Sequence, residues 1–321
     1  MTHLLPANWP ELAPETIARI APLQNIHHPA FTRAKLRVSL KREDLLHPIL
    51  GGNKVYKLLG HLKNWRRCGG KPLASFGGAY SNHLLALAAA GAALRCPTWG
   101  VVRGERPPLL SPTLADAEAF GMRLHFISRS DYRRRGDAAF AAQLEKTLGE
   151  VYWIAEGGAG LLALSGCQAL AREIVARGSV DVLCHACGTG ASLAGLAAGC
   201  GEGVQSLGIA VLRGDLDKMR SDVAAWLAEA GIDNLNWAIL PGFAAGGYGK
   251  LHTELLEFMT DFYRQTAVPL DAVYTAKLMR AVVILAERGY WPAHSHIAVV
   301  HSGGLQGNRG FPQLQLGVDG R

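Results

Sequence analysis

Two lysines follow a pair of glycines near the start of the chain. The segment Gly51-Gly52-Asn53-Lys54-Val55-Tyr56-Lys57 places Lys54 where a turn leads into a predicted helix. The positive end of the helix dipole disfavours an ammonium group there and favours the neutral amine, which is a nucleophile that forms Schiff bases with aldehydes. Lys57, one turn further along, is expected on the same face, within reach of an anion. Either lysine alone is also typical of an ordinary solvated surface.

A second polar segment, Ser81-Asn82-His83, comes after the glycine turn Gly77-Gly78. Ser81 is placed to cap a helix whose first N–H groups would suit a carboxylate, and the amide of Asn82 could donate to a phenolic oxygen. A capped helix with no ligand is the alternative interpretation.

A third segment, Cys187-Gly188-Thr189-Gly190-Ala191-Ser192, follows an apolar run and opens a helical pattern. Small residues allow the backbone N–H groups to surround an anion, and the helix N-terminus adds positive potential, so the segment predicts a phosphate site. The next glycine, Gly195, comes too late for G-x-G-x-x-G, and the chain contains no G-x-x-x-x-G-K-[ST]. A dinucleotide or nucleoside triphosphate is therefore disfavoured. A glycine turn that serves only helix packing is the alternative.

Alternating strand and helix patterns must position these segments. Short apolar runs predict strands at residues 36–40, 73–76, 98–102, 124–127, 151–154, 180–183, 206–212, 235–240 and 297–301. Helical patterns cover residues 55–67, 82–93, 161–177, 192–200, 221–230, 251–264 and 275–288. Such alternation indicates a doubly wound α/β protein with parallel sheets, which bind ligands beyond the carboxyl ends of their strands. Glycine, at 38 of 321 residues, clusters at these turns.

The composition restricts the remaining classes of function. The net charge of +7 permits an anionic partner, but the chain lacks a dense basic stripe or a nucleic-acid-binding motif, so nucleic acid is not expected. Six cysteines are too few for a disulfide scaffold in a chain of this length, and they fit a reducing cytoplasm. Cys184 and Cys187 are interpreted as buried small residues, and no metal site is predicted. No apolar run is long enough to span a membrane.

The motifs GGNKxxKL, GGxxSNH, GTGxS, GYG, VYTxK and HSGG occur in this order. In this respect the chain resembles the fold-type II pyridoxal-phosphate enzymes, and in particular the group that contains 1-aminocyclopropane-1-carboxylate deaminase and D-cysteine desulfhydrase. The resemblance covers roughly residues 35 to 310. It implies a tryptophan synthase β-like fold with two doubly wound open α/β domains and pyridoxal 5'-phosphate in the cleft between them. The larger domain would comprise residues 1–56 and 158–321, and the smaller one residues 57–157.

The resemblance also implies roles for individual residues around the cofactor. Lys54 would form the Schiff base and act as the acid and base at the α-carbon, and Asn82 would face the phenolic oxygen. Ser302 would place its hydroxyl against the pyridine nitrogen. The phosphate would be held by Lys57 and by Gly188, Thr189, Gly190, Ala191 and Ser192.

On the substrate side, the resemblance implies that Ser81 and His83 lie near the substrate carboxylate, beside Asn82. Tyr248, in the Gly246-Gly247-Tyr248-Gly249 segment, and Tyr274 match active-site tyrosines of the family. Lys54, Ser81 and the two tyrosines are the expected catalytic residues.

The expected activity is that of a lyase or deaminase acting on a small amino acid. The residue after the second tyrosine is typically glutamate in the ring-opening deaminases and is Thr275 here, which favours β-elimination as in D-cysteine desulfhydrase. The products would be a keto acid, ammonia and, from cysteine, sulfide. Alternatives are 1-aminocyclopropane-1-carboxylate deaminase, a racemase or β-replacement enzyme on the same scaffold, and a pyridoxal-phosphate carrier without turnover. The resemblance further implies a homodimer.

Overall fold

A computed structural model describes residue 6 and residues 8–233, 236–247 and 249–315. Within these residues the strands are β1 (Leu23–Asn25), β2 (Arg37–Lys41), β3 (Leu73–Gly77), β4 (Thr98–Arg103), β5 (Met122–Ile127), β6 (Tyr152–Ile154), β7 (Val182–Cys187), β8 (Gln205–Ala210), β9 (Trp237–Leu240) and β10 (His296–Val300). The α-helices are α1 (Pro14–Ile20), α2 (Pro29–Arg33), α3 (Asn53–Arg67), α4 (Asn82–Leu94), α5 (Pro112–Ala119), α6 (Arg129–Tyr132), α7 (Ala138–Leu148), α8 (Leu164–Ala176), α9 (Ala191–Cys200), α10 (Leu216–Glu229), α11 (Thr253–Thr266), α12 (Thr275–Glu287) and α13 (Pro312–Gln315).

The strands form two separate sheets. A six-stranded sheet has the order β1-β2-β10-β7-β8-β9, and a four-stranded sheet has the order β5-β4-β3-β6. All pairs are parallel except β1 with β2. Helices cover the strands on both faces, so that β3, β7 and β10 are buried along their whole length. The prediction of a doubly wound α/β protein with parallel sheets is therefore confirmed.

The two sheets divide the chain in sequence as well as in space. The four-stranded sheet is built from segments between Leu73 and Ile154, and the strands of the six-stranded sheet lie outside that range. The predicted boundary between residues 56 and 57 falls inside the continuous helix α3. The exact domain boundaries stay a prediction.

Some elements differ from their sequence patterns. Strand β7 runs on to Cys187, so Cys184 and Cys187 both lie inside a strand, where they are buried free thiols, as expected. The antiparallel strand β1 was not predicted, because Leu23-Gln24-Asn25 is too short and too polar to show a strand pattern. Helix α10 begins at Leu216, five residues before its predicted start, because Asp215 caps it by accepting a hydrogen bond from the Lys218 N–H.

Close contacts of helix α8 with helices α3 and α9 fix the positions at which α3 and α9 begin. A Cβ atom on Gly166 of α8 would lie 2.2 Å from the carbonyl oxygen of Tyr56 in α3. A Cβ atom on Gly195 of α9 would lie 2.5 Å from Cβ of Cys167 in α8. Because glycine allows backbones to approach this closely, α3, α8 and α9 stack tightly. The stack fixes the first turn of α3 relative to the first turn of α9.

Helix α3 is also fixed at its N-terminal end. Gly52 has φ of 74°, and a Cβ atom there would lie 1.7 Å from the carbonyl oxygen of Ser302, which follows β10. Only glycine fits this position.

Within the described part of the chain, no helix is both long and apolar enough to cross a membrane.

Candidate active site

Lys54 is the second residue of α3 and is half-buried. Its Nζ donates a hydrogen bond to Oδ1 of Asn53 at 2.8 Å. Burial, together with the nearby charge of Lys57, lowers the pKa of Lys54 to about 7, against the weaker opposing effects of Cys167 and Asp271. A large fraction of the amine is therefore neutral near pH 7. The expectation of a neutral, nucleophilic lysine agrees with this, but its main cause is burial rather than the helix dipole.

Lys57 lies one turn further along α3 and is buried. Its Nζ donates to the carbonyl oxygen of Gly157 at 2.9 Å, and burial lowers its pKa. Within the described residues, neither Lys54 nor Lys57 forms an ion pair with a carboxylate. Two neighbouring buried amines without a carboxylate partner favour the binding of an anion.

The glycine loop after β7 faces this pair of lysines. Strand β7 ends at Cys187, Gly190 has φ of 84°, and α9 begins at Ala191 without a side-chain cap. The N–H groups of the first helical turn have no partner within the helix, so they are available to an anion. Nδ2 of Asn53 donates to Oγ of Ser192 at 2.9 Å. One buried amide thus connects Lys54 with the start of α9.

The Ser81-Asn82-His83 segment begins α4, as predicted. Oγ of Ser81 accepts from the Leu84 N–H at 3.2 Å and caps the helix. Oδ1 of Asn82 accepts from Nε2 of Gln306 at 3.0 Å. Because the amide oxygen is engaged in this way, the amino group of Asn82 is the part that remains to donate to a ligand.

His83 is buried between β3 and the turn at Gly157 and Gly158. Its Nε2 lies 3.0 Å from Oγ of Ser75, while its Nδ1 has no hydrogen-bond partner among the residues that the structure describes. Burial and the charges of Lys54 and Lys57 lower its pKa well below the usual value, so the ring is neutral. Its predicted contact with a substrate carboxylate stays a prediction.

Tyr274 and Ser302 approach the same region from the six-stranded sheet. Tyr274 directly precedes α12, and its ring lies against Gly188, where a Cβ atom would be 3.3 Å from Cε1 and 3.7 Å from the hydroxyl oxygen. The Asp271 carboxylate holds this turn by accepting three backbone N–H bonds. Ser302 follows β10 and contacts Gly52 through its backbone. Tyr248, a predicted catalytic residue, lies outside the described residues.

The contacts therefore bring most of the predicted residues into one connected region at the carboxyl ends of the strands. Lys54, Lys57 and Ser192 are connected through Asn53 and α3, Tyr274 borders the glycine loop, and Asn82 borders the segment after Ser302. The hydroxyl of Ser81 caps its own helix. Within the described residues, no group of three or more His, Cys, Asp or Glu side chains is arranged to hold a metal ion.

A family model described as pyridoxal-phosphate dependent enzyme matches residues 17–303. The chain belongs to this family. Pyridoxal phosphate is its cofactor, and the resemblance drawn from the motifs is confirmed.

The proteins that are similar to this chain include relatives that are named after particular activities within the family. The bifunctional D-cysteine desulfhydrase/1-aminocyclopropane-1-carboxylate deaminase of Arabidopsis thaliana, a mitochondrial protein, is 27% identical over 84% of this chain and 72% of its own. A Pyrococcus horikoshii protein, provisionally named 1-aminocyclopropane-1-carboxylate deaminase, is 27% identical over 84% of this chain and 85% of its own. The crystal structure of a homologue of that deaminase superimposes with a TM-score of 0.79 at 26% identity, covering 92% of this chain and 93% of the other. The tryptophan synthase β-like fold is thereby confirmed.

The residues of this pyridoxal-phosphate enzyme fit its cofactor. A buried amine with a pKa of about 7 suits an aldehyde, and the uncapped start of α9 together with Lys57 suits a phosphate dianion. The Nδ1 atoms of His83 and His185, which have no hydrogen-bond partner in the described part of the chain, are further buried polar atoms beside the two lysines.

Sequence reasoning missed two residues of the site. Asn53 was given no role, although it contacts both Lys54 and Ser192 and stands within 3.4 Å of Nε2 of His185. Burial lowers the pKa of His185 to about 3, so this ring is a neutral group in the wall of the site. Asn53 could have been found, since it lies between the glycine turn and Lys54, the lysine that the motifs single out. His185 gave no such signal.

Proposed function

We propose that this pyridoxal-phosphate enzyme is a lyase that removes the β-substituent of a small amino acid, as a D-cysteine desulfhydrase does. Cysteine would give a keto acid, ammonia and sulfide. Support comes from the family, from the names of the relatives and from the arrangement of Lys54, the glycine loop and Tyr274.

Each residue around the cofactor has a definite task in this proposal. Lys57 and the N–H groups of residues 188–192 hold the phosphate, and the Asn82 amino group donates to the phenolic oxygen. The Ser302 hydroxyl faces the pyridine nitrogen, where it stabilises positive charge less than a carboxylate would. When bound, pyridoxal phosphate supplies a conjugated system that accepts the electron pair left at the α-carbon. Because Ser302 would stabilise positive charge on the ring only weakly, loss of the β-substituent would be favoured over transamination.

The protein supplies the proton transfers. The neutral amine of Lys54 accepts the α-proton, which becomes bound to its Nζ. The bond between the β-carbon and the leaving atom then breaks, and its electron pair leaves with sulfur. A tyrosine hydroxyl, from Tyr274 or Tyr248, donates a proton to the departing thiolate. The released enamine takes up water and gives the keto acid and ammonia.

Thr275 is the observation that favours elimination over ring opening. Its Oγ1 accepts a hydrogen bond from the Asp271 N–H at 2.7 Å, and its own N–H donates to Asp271 at 2.8 Å. The hydroxyl is therefore used to begin α12, and the residue beside Tyr274 carries no carboxyl group. The family resemblance associates ring opening with glutamate at this position.

The test combines a spectrum with four parallel assays. Purified protein is examined for the visible absorption of bound pyridoxal phosphate, and then D-cysteine, L-cysteine, D-serine and 1-aminocyclopropane-1-carboxylate are added separately. Keto acid and sulfide are measured. We expect keto acid from D-cysteine with an equal amount of sulfide, and little from the cyclopropane amino acid.

Lys54→Ala should abolish the lysine-bound spectrum and lower turnover by at least about 10² to 10⁴-fold, the usual contribution of an acid–base group. Lys63→Ala, an exposed lysine of the same helix, should leave both unchanged. A bound cofactor with no keto acid from any amino acid would contradict the lyase and favour a carrier without turnover.

Ring opening of 1-aminocyclopropane-1-carboxylate is the second candidate, because the names of the relatives include that activity. Faster keto acid formation from this substrate than from D-cysteine would establish it and would contradict our assignment of Thr275.

A cytoplasmic homodimer is proposed from the family resemblance and from the cysteine content, and light scattering of the purified protein tests the dimer.

A further inference from the structure

Lys277 is a buried lysine that the proposed chemistry does not use. It lies in the first turn of α12 and is 1% exposed. Its Nζ donates to three backbone carbonyl oxygens, those of Val211 at 3.2 Å, Ala244 at 2.9 Å and Gly247 at 2.7 Å. An ammonium group has three N–H donors, so all of them are used.

The three carbonyls come from segments that border the cofactor site. Val211 follows β8, while Ala244 and Gly247 follow β9, and both strands end at the edge where the glycine loop lies. Leu212, next to Val211, and Tyr274, one turn before Lys277, are the side chains nearest to Gly188. A single ammonium group therefore holds together the segments that enclose one side of the glycine loop after β7.

Three convergent carbonyl oxygens form the kind of site that binds a monovalent cation. Proteins hold potassium ions with carbonyl oxygens that replace the hydration shell of the ion. Burial lowers the pKa of Lys277 to about 8, with Asp271 opposing the shift, so the group is largely charged at neutral pH. Without a cation, the buried carbonyls would lose their hydrogen bonds, at a cost of about 1–3 kcal/mol for each unsatisfied group.

We propose that Lys277 is a positioning residue that acts as a tethered internal cation, fixing Val211, Ala244 and Gly247 around the cofactor site where a free monovalent ion would otherwise serve. This inference rests on the proposed function only for its turnover assay. The native enzyme should then need no added monovalent cation, and removal of the amine should create a site for one.

Lys277→Ala, which removes the amine and leaves room for an ion, is tested as the holoenzyme in tetramethylammonium, sodium, potassium and ammonium chloride at equal ionic strength. D-cysteine turnover and the rate of pyridoxal phosphate dissociation are measured in each salt. We expect turnover about 10- to 100-fold lower in tetramethylammonium, the usual effect of a displaced active-site segment, and recovery of most of it in potassium or ammonium. Wild type and Arg280→Ala, which removes a half-buried cation of the same helix that pairs with Glu254, should give the same turnover in all four salts.

The salt dependence is the result that a merely structural role would not produce. An equal loss in all four salts, or no loss in tetramethylammonium, overturns the proposal. Activation of the wild type by potassium also overturns it, because the site would then need a free ion. If Lys277→Ala is insoluble, Lys277→Ser replaces it under the same criteria. If the wild type binds the cofactor but converts no amino acid, the proposed function fails, while cofactor dissociation in the four salts still tests Lys277.

Discussion

Lys54 differs from a surface lysine in a property that can be titrated. Its pKa is lowered to about 7, chiefly by burial, so its neutral fraction rises from about one tenth at pH 6 to about nine tenths at pH 8. We expect the rate at which the apoprotein captures pyridoxal phosphate to rise over this range and to level off above it. Absorbance after rapid mixing measures this rate.

Nα-acetyl-lysine, with a pKa near 10.4, provides the comparison, since its reaction should continue to accelerate up to about pH 10. A protein profile that levels off only near pH 10 would mean that the amine of Lys54 is solvated, and it would contradict the buried environment described above.

Asn53 offers a second test at the level of one residue. It accepts a hydrogen bond from Lys54 and donates one to Ser192. Asn53→Leu removes both bonds while keeping similar volume, so Lys54 loses its fixed orientation. We expect kcat to fall about 10- to 100-fold, as a small misplacement does, with a smaller change in cofactor affinity.

Asn64→Leu provides the matched control for Asn53. Asn64 lies on the same helix and donates to the hydroxyl of Tyr152, away from Lys54. Equal losses of kcat in the two variants would show that α3 as a whole, and not the contact at Lys54, determines the rate.

At the scale of elements, the two ends of α3 allow a direct comparison. Gly52 at its start and Gly69 just beyond its end have φ of 74° and 84°. A Cβ atom on Gly52 would collide with the Ser302 carbonyl, whereas one on Gly69 would meet nothing within 4 Å. Gly69→Ala should therefore lower the free energy of unfolding by the backbone strain alone, about 1–2 kcal/mol.

Gly52→Ala carries this strain and the collision, so we expect a loss of about 3 kcal/mol or more, and weaker cofactor binding because the first turn of α3 must shift. Urea unfolding of the two apoproteins measures the difference. If both variants are destabilised equally, the contact between Gly52 and Ser302 contributes nothing to the position of Lys54.

The elements were more predictable from the sequence than the contacts between them. Apolar runs bounded by glycine gave strands such as β3 and β10 to within one residue at each end, because buried parallel strands carry a strong local signal. The family motifs supplied Lys54 and the glycine loop. The hydrogen bond from Asn53 to Ser192 and the three bonds from Lys277 to backbone carbonyls join residues 30 or more positions apart, and such contacts leave no periodicity in a single sequence.

For the molecule as a whole, cofactor binding should contribute substantially to stability. The buried Lys57 and the half-buried Lys54 next to it have no carboxylate partner within the described residues, which disfavours the apoprotein, and a phosphate dianion removes that cost. A ligand at about 100 times its Kd contributes about 2.7 kcal/mol, so we expect the holoenzyme to unfold at least about 5 °C above the apoprotein. Thermal unfolding followed by circular dichroism tests this difference.

Lys57→Met separates the charge effect from general packing. The variant apoprotein should be at least as stable as the wild-type apoprotein, because one buried amine is gone, and its Tm should gain less from pyridoxal phosphate. A large loss of apoprotein stability would mean that the bond from Lys57 to Gly157 outweighs the cost of burying the charge.

That bond has a further consequence for how such an enzyme can change. It joins residues one hundred positions apart, so the chain enters and leaves the four-stranded unit at nearly a single point. A segment whose ends are adjacent can be replaced by another segment without changing the path of the rest of the chain. The Ser81-Asn82-His83 turn lies inside this segment, and Lys54 and the glycine loop lie outside it. New amino-acid preferences can therefore arise by altering this segment, while Lys54 and the glycine loop proposed to hold the phosphate are inherited intact.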